Sequence, residues 1–322
     1  MGTRTNAMIE LTRPGKHSLT IDTPVMPAAG TFGFGDLYRD LVDIEKLGAL
    51  VTNPVTYQPW SPATGTRVVP LDAGILMHTG LPNPGLDRIV SKYRGLWRSL
   101  PLPVIVHIVG TTTEDVRRCM VELDREDGVA AVELGLNDDI RYNDAERLVR
   151  AACESSDKPV IVRLPFTDTG ELAHAADGAG AAALVVCAPP RGTARDATGR
   201  LISGRVYGPL VKPIILRLVG QLTRRLDTPI IGAGGIHSPE DARDYIEAGA
   251  RAVQVDSATW VQPKLIEIIA RDLGGLVLTQ PSGALYDEWH PGIGQTERDR
   301  QKAARQRRQA KAKPGDDDKT DH

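Results

Sequence analysis

Pro229-Ile-Ile-Gly-Ala-Gly-Gly-Ile-His-Ser-Pro-Glu-Asp-Ala242, followed by Ala248-Gly-Ala-Arg-Ala-Val-Gln-Val255, reads as a buried strand, a glycine turn, an amphipathic helix and a second buried strand. Gly232, Gly234 and Gly235 leave backbone N–H groups open at the end of the first strand. Ser238 is placed to cap the helix, and Pro239 takes its first position. Open N–H groups beside a helix N-terminus bind anions, phosphate above all. In (β/α)8 barrels the phosphate site commonly uses the loops after strands seven and eight. The stretch therefore suggests an architecture and a ligand type together.

Working outward, short apolar runs recur at 25–29, 49–52, 104–109, 130–134, 160–164, 182–186, 229–232 and 252–255. Several are apolar nearly throughout, as parallel strands buried on both faces require. Most are spaced by roughly the length of a strand plus a returning helix. Between them, Val116, Met120 and Leu123 share one helical face, as do Ala145, Leu148, Val149 and Ala152. Eight units predict an α/β fold, a (β/α)8 TIM barrel. Segments 8–11 and 18–21 predict an N-terminal β-hairpin. Two connections, from Asn53 to about Leu102 and from Cys187 to about Pro213, are long loop insertions at the C-terminal face, where barrels build active sites. The barrel domain is expected over 1–294, and a charged, disordered tail over 295–322.

Composition narrows the class. The chain is 41% hydrophobic and 25% charged with net charge −2, so no global field points to nucleic acid or a membrane. It lacks a continuous apolar run of about 18 residues and the apolar core of a signal peptide. Cys119, Cys153 and Cys187 are scattered, which fits reduced thiols and a cytoplasmic location. No HExxH, paired CxxC or compact His/Asp cluster argues for a metal. The basic stretch 298–313 is a candidate surface for an acidic partner. It lacks the aromatics that nucleic-acid stacking uses, and the acidic block at 316–318 offsets its charge.

Several segments, in order, resemble dihydroorotate dehydrogenase, the FMN barrel enzyme of pyrimidine synthesis, and especially its soluble class 1 forms. They are Met26-Pro-Ala-Ala-Gly-Thr-Phe-Gly-Phe-Gly35, Lys46-Leu-Gly-Ala-Leu-Val-Thr52, Gly80-Leu-Pro-Asn-Pro-Gly85, Gly208-Pro-Leu-Val-Lys-Pro-Ile214 and the Gly234-Gly235 turn. The resemblance covers roughly residues 8–275. It implies a turn along the flavin at Ala28, Ala29, Gly30 and Thr31, and an FMN phosphate held by Gly208, Gly234 and Gly235. Arg163 matches a strand-five lysine at the flavin's pyrimidine edge, where a fixed cation favours the reduced cofactor. The alternatives are ordinary turns for the glycines and a paired rim cation for Arg163. The resemblance also allows a homodimer or an electron-transfer subunit.

Departures from the pattern cluster at the substrate. The family's catalytic Cys or Ser loop reads Gly135-Leu-Asn-Asp-Asp-Ile140, which puts Asp138 at the base position. Gly135, Ile140, Met77 and Cys187-Ala188 replace substrate-holding polar residues, and Asn53 replaces a lysine. A site that loses hydrogen-bond partners for a polar substrate loses about 1–3 kcal/mol for each unsatisfied group. The expectation is hydride transfer from a small substrate other than dihydroorotate to flavin, with Asp138 as base. A non-catalytic barrel, and a true dihydroorotate dehydrogenase with a rebuilt site, stay open as alternatives. The alternative to a base at Asp138 is that Asn137, Asp138 and Asp139 form a polar turn. His107 either faces the flavin or is a satisfied barrel histidine, and Glu133 is assigned to structural hydrogen bonding. After strand eight, Asp256-Ser257 replaces Gly-Thr. Ser257 keeps a donor for phosphate. Asp256 is expected to repel it unless it turns away or pairs with Arg205, Arg217 or Lys212.

Overall fold

The structure, a computed structural model, describes residues 8–14 and 18–274. The expected tail and its boundary at 294/295 lie outside the described residues. The described residues all belong to one compact unit.

Along the chain, β1 (Ile9–Glu10) and β2 (Thr20–Ile21) form the hairpin, then β3 (Val25–Pro27) and β4 (Leu50–Val51) open the barrel. The first insertion carries β5 (Val68–Leu71) and β6 (Gly74–Met77) before α1 (Leu86–Ser99). The middle of the barrel follows as β7 (Val104–Val109), α2 (Thr113–Asp124), β8 (Ala131–Gly135), α3 (Tyr142–Glu154), β9 (Val160–Arg163), α4 (Thr169–Gly178) and β10 (Ala183–Val186). The second insertion contributes β11 (Arg191–Arg195) and β12 (Leu201–Tyr207). The chain then continues through α5 (Lys212–Leu222), β13 (Ile230–Ala233), α6 (Pro239–Glu247), β14 (Ala252–Val255), α7 (Ala258–Val261) and α8 (Leu265–Leu273).

All eight apolar runs are barrel strands, ordered β3-β14-β13-β10-β9-β8-β7-β4 in one parallel sheet. The seam between β3 and β4 is bridged by the Gly48 N–H, which donates to Val25 O at 2.8 Å. Only glycine fits there, because a Cβ at 48 would stand 1.9 Å from Thr23 O.

Two apolar layers hold the barrel. Outward-facing strand residues such as Val106, Leu134, Val162 and Leu184 pack against the helices. Inward-facing Met26, Val51, Ile105, Ala131, Ile161, Val185 and Ile231 meet Leu11, Leu19 and Ile21 of the hairpin region. The hairpin thus closes the N-terminal end, and the open end is the C-terminal one, as in other barrels.

The two insertions are not irregular loops. They join in a four-stranded antiparallel sheet, β11-β12-β6-β5, through the pairs Arg205↔Met77, Val206↔Leu76 and Tyr207↔Ile75. This sheet supplies one wall of the mouth.

Candidate active site

Above the apolar layer the barrel interior turns polar. Glu133 on β8 is fully buried, and Arg163 on β9 and His107 on β7 are nearly so. His107 Nδ1 lies 2.8 Å from Glu133 Oε1. Arg163 donates to Gln254 Oε1 at 2.6 Å and approaches Glu133 Oε1 at 3.5 Å, while Gln254 Nε2 donates to Glu133 Oε2 at 2.6 Å. Burial pushes the Glu133 carboxyl upward. The His107 contact, the Arg163 charge and the Gln254 bond outweigh burial and hold it below the ordinary carboxylate range. The result is a buried anion whose partners Arg163 and His107 line the cavity above.

That cavity has two parts. An inner pocket of about 100 Å³ is lined by Ala29, Pro54, His107, Arg163, Tyr207 and Asp256. An outer cavity of about 1040 Å³ lies under the insertion sheet and takes in Trp60, Met77, Asp138, Ile140 and Arg191. Leu81, Asn137, Arg205 and Tyr207 border both. Tyr207 is fixed edge-on to Trp260, with ring centroids 5.0 Å apart.

At the turn after β13, the seventh barrel strand in chain order, three glycines meet. A Cβ on Gly235 (φ +67°) would stand 3.1 Å from Gly208 O and 2.7 Å from Lys212 N. Gly234 and Gly208 also hold positive φ, at +125° and +140°. Helices α5 and α6 both begin here, α6 capped by Ser238 accepting from Asp241 N–H. The Lys212 ammonium is engaged by Asp241 and Asp244. His237 Nδ1, just past the turn, is buried without a partner, and so is Asn53 Oδ1 at the end of β4. Orphaned buried polar atoms at two strand ends mark groups left for a ligand to satisfy. Open N–H groups, two helix N-termini, a buried guanidinium and these unpaired atoms fit the phosphate and polar ring edges of a flavin nucleotide.

Asp256 differs from its expectation. It pairs with none of Arg205, Arg217 and Lys212. Its Oδ1 accepts from the backbone N–H of Ser257 at 2.6 Å and lies 3.2 Å from Ser257 Oγ. Burial pushes its carboxyl above the ordinary value, against the Ser257 bond and the nearby Arg163 and His237. A carboxyl that keeps its proton can donate to an anion instead of repelling it. The same shift makes folding favour the protonated acid, so this stability is lost as pH rises through the raised value. Asp256→Asn is therefore expected to melt above the wild type at neutral pH. The gap should close as pH falls toward the ordinary carboxylate range, which thermal melts across pH will read.

Of the other sequence-assigned residues, Asp138 reaches the mouth but is not solitary. Its Oδ1 accepts from Arg205 at 2.9 Å and its Oδ2 from Arg191 at 3.4 Å, so β11 and β12 of the second insertion orient it. Gly30 (φ +93°) opens onto free space. Ala28 is buried in the ladder, donating to Val255 O and accepting from Thr31, while its neighbour Ala29 lines the pocket. Ser257 turns its hydroxyl to Asp256. Cys187, at a substrate position of the resembled pattern, has its thiol pushed up by burial to about 12, which rules it out as a thiolate at neutral pH. Tyr207 and Trp60 were missed, and Arg205 was named only as a partner for Asp256. Only the pairing of the two insertions brings them to the mouth.

The family model described as dihydroorotate dehydrogenase matches residues 16–277. The chain is 36% identical over 273 residues to the dihydroorotate dehydrogenase B (NAD(+)) catalytic subunit of Trichlorobacter lovleyi, covering 80% of this chain and 90% of that one. It is likewise 36% identical over 262 residues to the same subunit of Desulforamulus reducens, covering 76% and 86%. In fold it matches the Eimeria tenella DHODH crystallised with ferulenol at TM-score 0.70 and 17% identity, covering 84% of this chain and 85% of that one.

Proposed function

This chain belongs to the dihydroorotate dehydrogenase family of flavin-dependent oxidoreductases, and on that premise we propose that it oxidises dihydroorotate to orotate on a rebuilt site. The relatives carry no sign of another substrate, so the expectation of one yields to the alternative of a true dihydroorotate dehydrogenase. The observation that carries the reading is the charged layer at the mouth, with Arg163 and His107 set over buried Glu133 and facing the cavity.

In this reading FMN, when bound, supplies the two-electron acceptor. Gly208, Gly234, Gly235 and Ser257 would hold its phosphate, Ala28, Ala29 and Gly30 would flank its ring, and Arg163 would stabilise negative charge on the reduced ring. Asp138 takes the proton from the substrate carbon. Arg205 holds its Oδ1 and Arg191 its Oδ2, and the second lone pair of each oxygen serves the cavity. A second subunit relaying electrons to NAD(+) is the partner this reading implies, by analogy with the relatives. Three free thiols support a reducing, cytoplasmic setting. Among the described residues no helix is long and apolar enough to cross a membrane.

A second reading, a different small anionic substrate, rests on the wall itself. Met77, Ile140, Cys187 and Ala188 offer no amide to a pyrimidine ring. Anaerobic incubation of the FMN-loaded protein with dihydroorotate decides between the two. Orotate formation supports the first. Retained FMN without orotate rejects it and leaves the second.

A further inference from the structure

His107 is the one histidine among the described residues lining the inner pocket, and the reading above gives it no proton to move. Its side chain is 6% exposed and its backbone N–H donates to Thr52 Oγ1 at 3.1 Å. Nδ1 faces Glu133, and an acceptor there fixes the tautomer with the proton on Nδ1. Nε2 then carries a free lone pair on the pocket wall. Gly135 makes the room: a Cβ at 135 would stand 2.9 Å from Nε2 and 3.0 Å from Cε1. Histidine at 107 and glycine at 135 are thus one arrangement, although only Gly135 looked like a loss in the sequence.

We propose that His107, oriented by Glu133, is the proton-accepting group of the flavin pocket and takes up one proton at Nε2 when the cofactor gains two electrons. The inference rests on the flavin reading above. With neutral imidazole, Glu133 and Arg163 cancel, and the layer carries no net charge. Negative charge arriving in the pocket on reduction has only half-shielded Arg163 to face. Protonating Nε2 supplies a second cation, and Glu133, held ionised, stabilises the imidazolium from the other side. The electrons come from the substrate through the proposed activity, and the proton comes from solvent.

The groups facing His107 leave it this role. Just past β4 comes Thr52, from β8 Glu133, from β9 Arg163, from β14 Gln254, and just past β14 Asp256. From β12 come Arg205, which is engaged by Asp138 and Pro189 O, and Tyr207, whose phenol burial pushes upward. Burial pushes the Asp256 carboxyl above its ordinary value.

The test is the midpoint potential of bound FMN against pH, from about pH 5 to 8, in the wild type and in His107→Asn. The wild type should fall more steeply by one proton, about 30 mV per pH unit for a two-electron couple. The variant should lose the extra slope while keeping its flavin. Equal slopes with flavin retained in both would overturn the role of His107 and leave the flavin reading intact. A wild type that retains no flavin would overturn both. If the variant fails to fold, proton uptake on photoreduction of the wild type decides. One proton more than free FMN supports the proposal, and none overturns it.

Discussion

Arg163→Met is expected to destabilise the protein by about 3–5 kcal/mol, the cost of breaking a buried ion pair and leaving one charge uncompensated. The guanidinium and the Glu133 carboxylate are both almost entirely out of water, and Gln254 is shared between them. Methionine matches much of the aliphatic length but supplies no charge. Glu133 would then keep only His107 and Gln254, and its carboxyl should move up from its depressed position. Denaturant unfolding of the apo protein reads the stability change without depending on catalysis. In the FMN-loaded protein the potential should also drop, because the fixed cation facing the pocket is gone. A loss below about 1 kcal/mol, within the range of exposed pairs, would mean that the layer is wetter than the structure shows.

Asp138→Asn is expected to lower kcat by about 10²–10⁴-fold, the usual contribution of a positioned proton-transfer group. The amide oxygen can still accept from Arg205, so the second insertion keeps its anchor and flavin retention should not change. Single-turnover reduction of the flavin by substrate isolates the step. If reduction proceeds at the wild-type rate, the carboxylate only fastens Arg191 and Arg205 to the mouth, and proton removal lies elsewhere.

The barrel was legible because its strands are buried on both faces, so each appears as an unbroken apolar run. The same property hid the charged layer. In a run such as Val104-Ile-Val-His-Ile-Val109 the inward face is visible only once the register pairs His107 with Glu133. The glycine turn was legible because its chemistry is local, and the structure brings Gly208 to it as the resemblance implied. The insertion sheet was not. Its strands carry Pro70 and the polar series Arg191-Gly-Thr-Ala-Arg195, and its central pairing joins segments far apart in the chain. The partners of Asp138 were hidden for the same reason. Helix α1 carried a readable signal, since Leu86, Ile89, Val90, Tyr93 and Trp97 share its buried face, but it begins at Gly85 without a side-chain cap. Asp256 shows the limit of reading charge without burial. A carboxylate placed against an anion site looks prohibitive until burial is seen to push its carboxyl above the ordinary value.

The most direct test of the account is the visible spectrum of the purified protein after incubation with FMN and desalting. Retained flavin absorbance, bleached on anaerobic addition of dihydroorotate, is the predicted result. A protein that stays colourless would contradict the assignment of the barrel mouth as a flavin site.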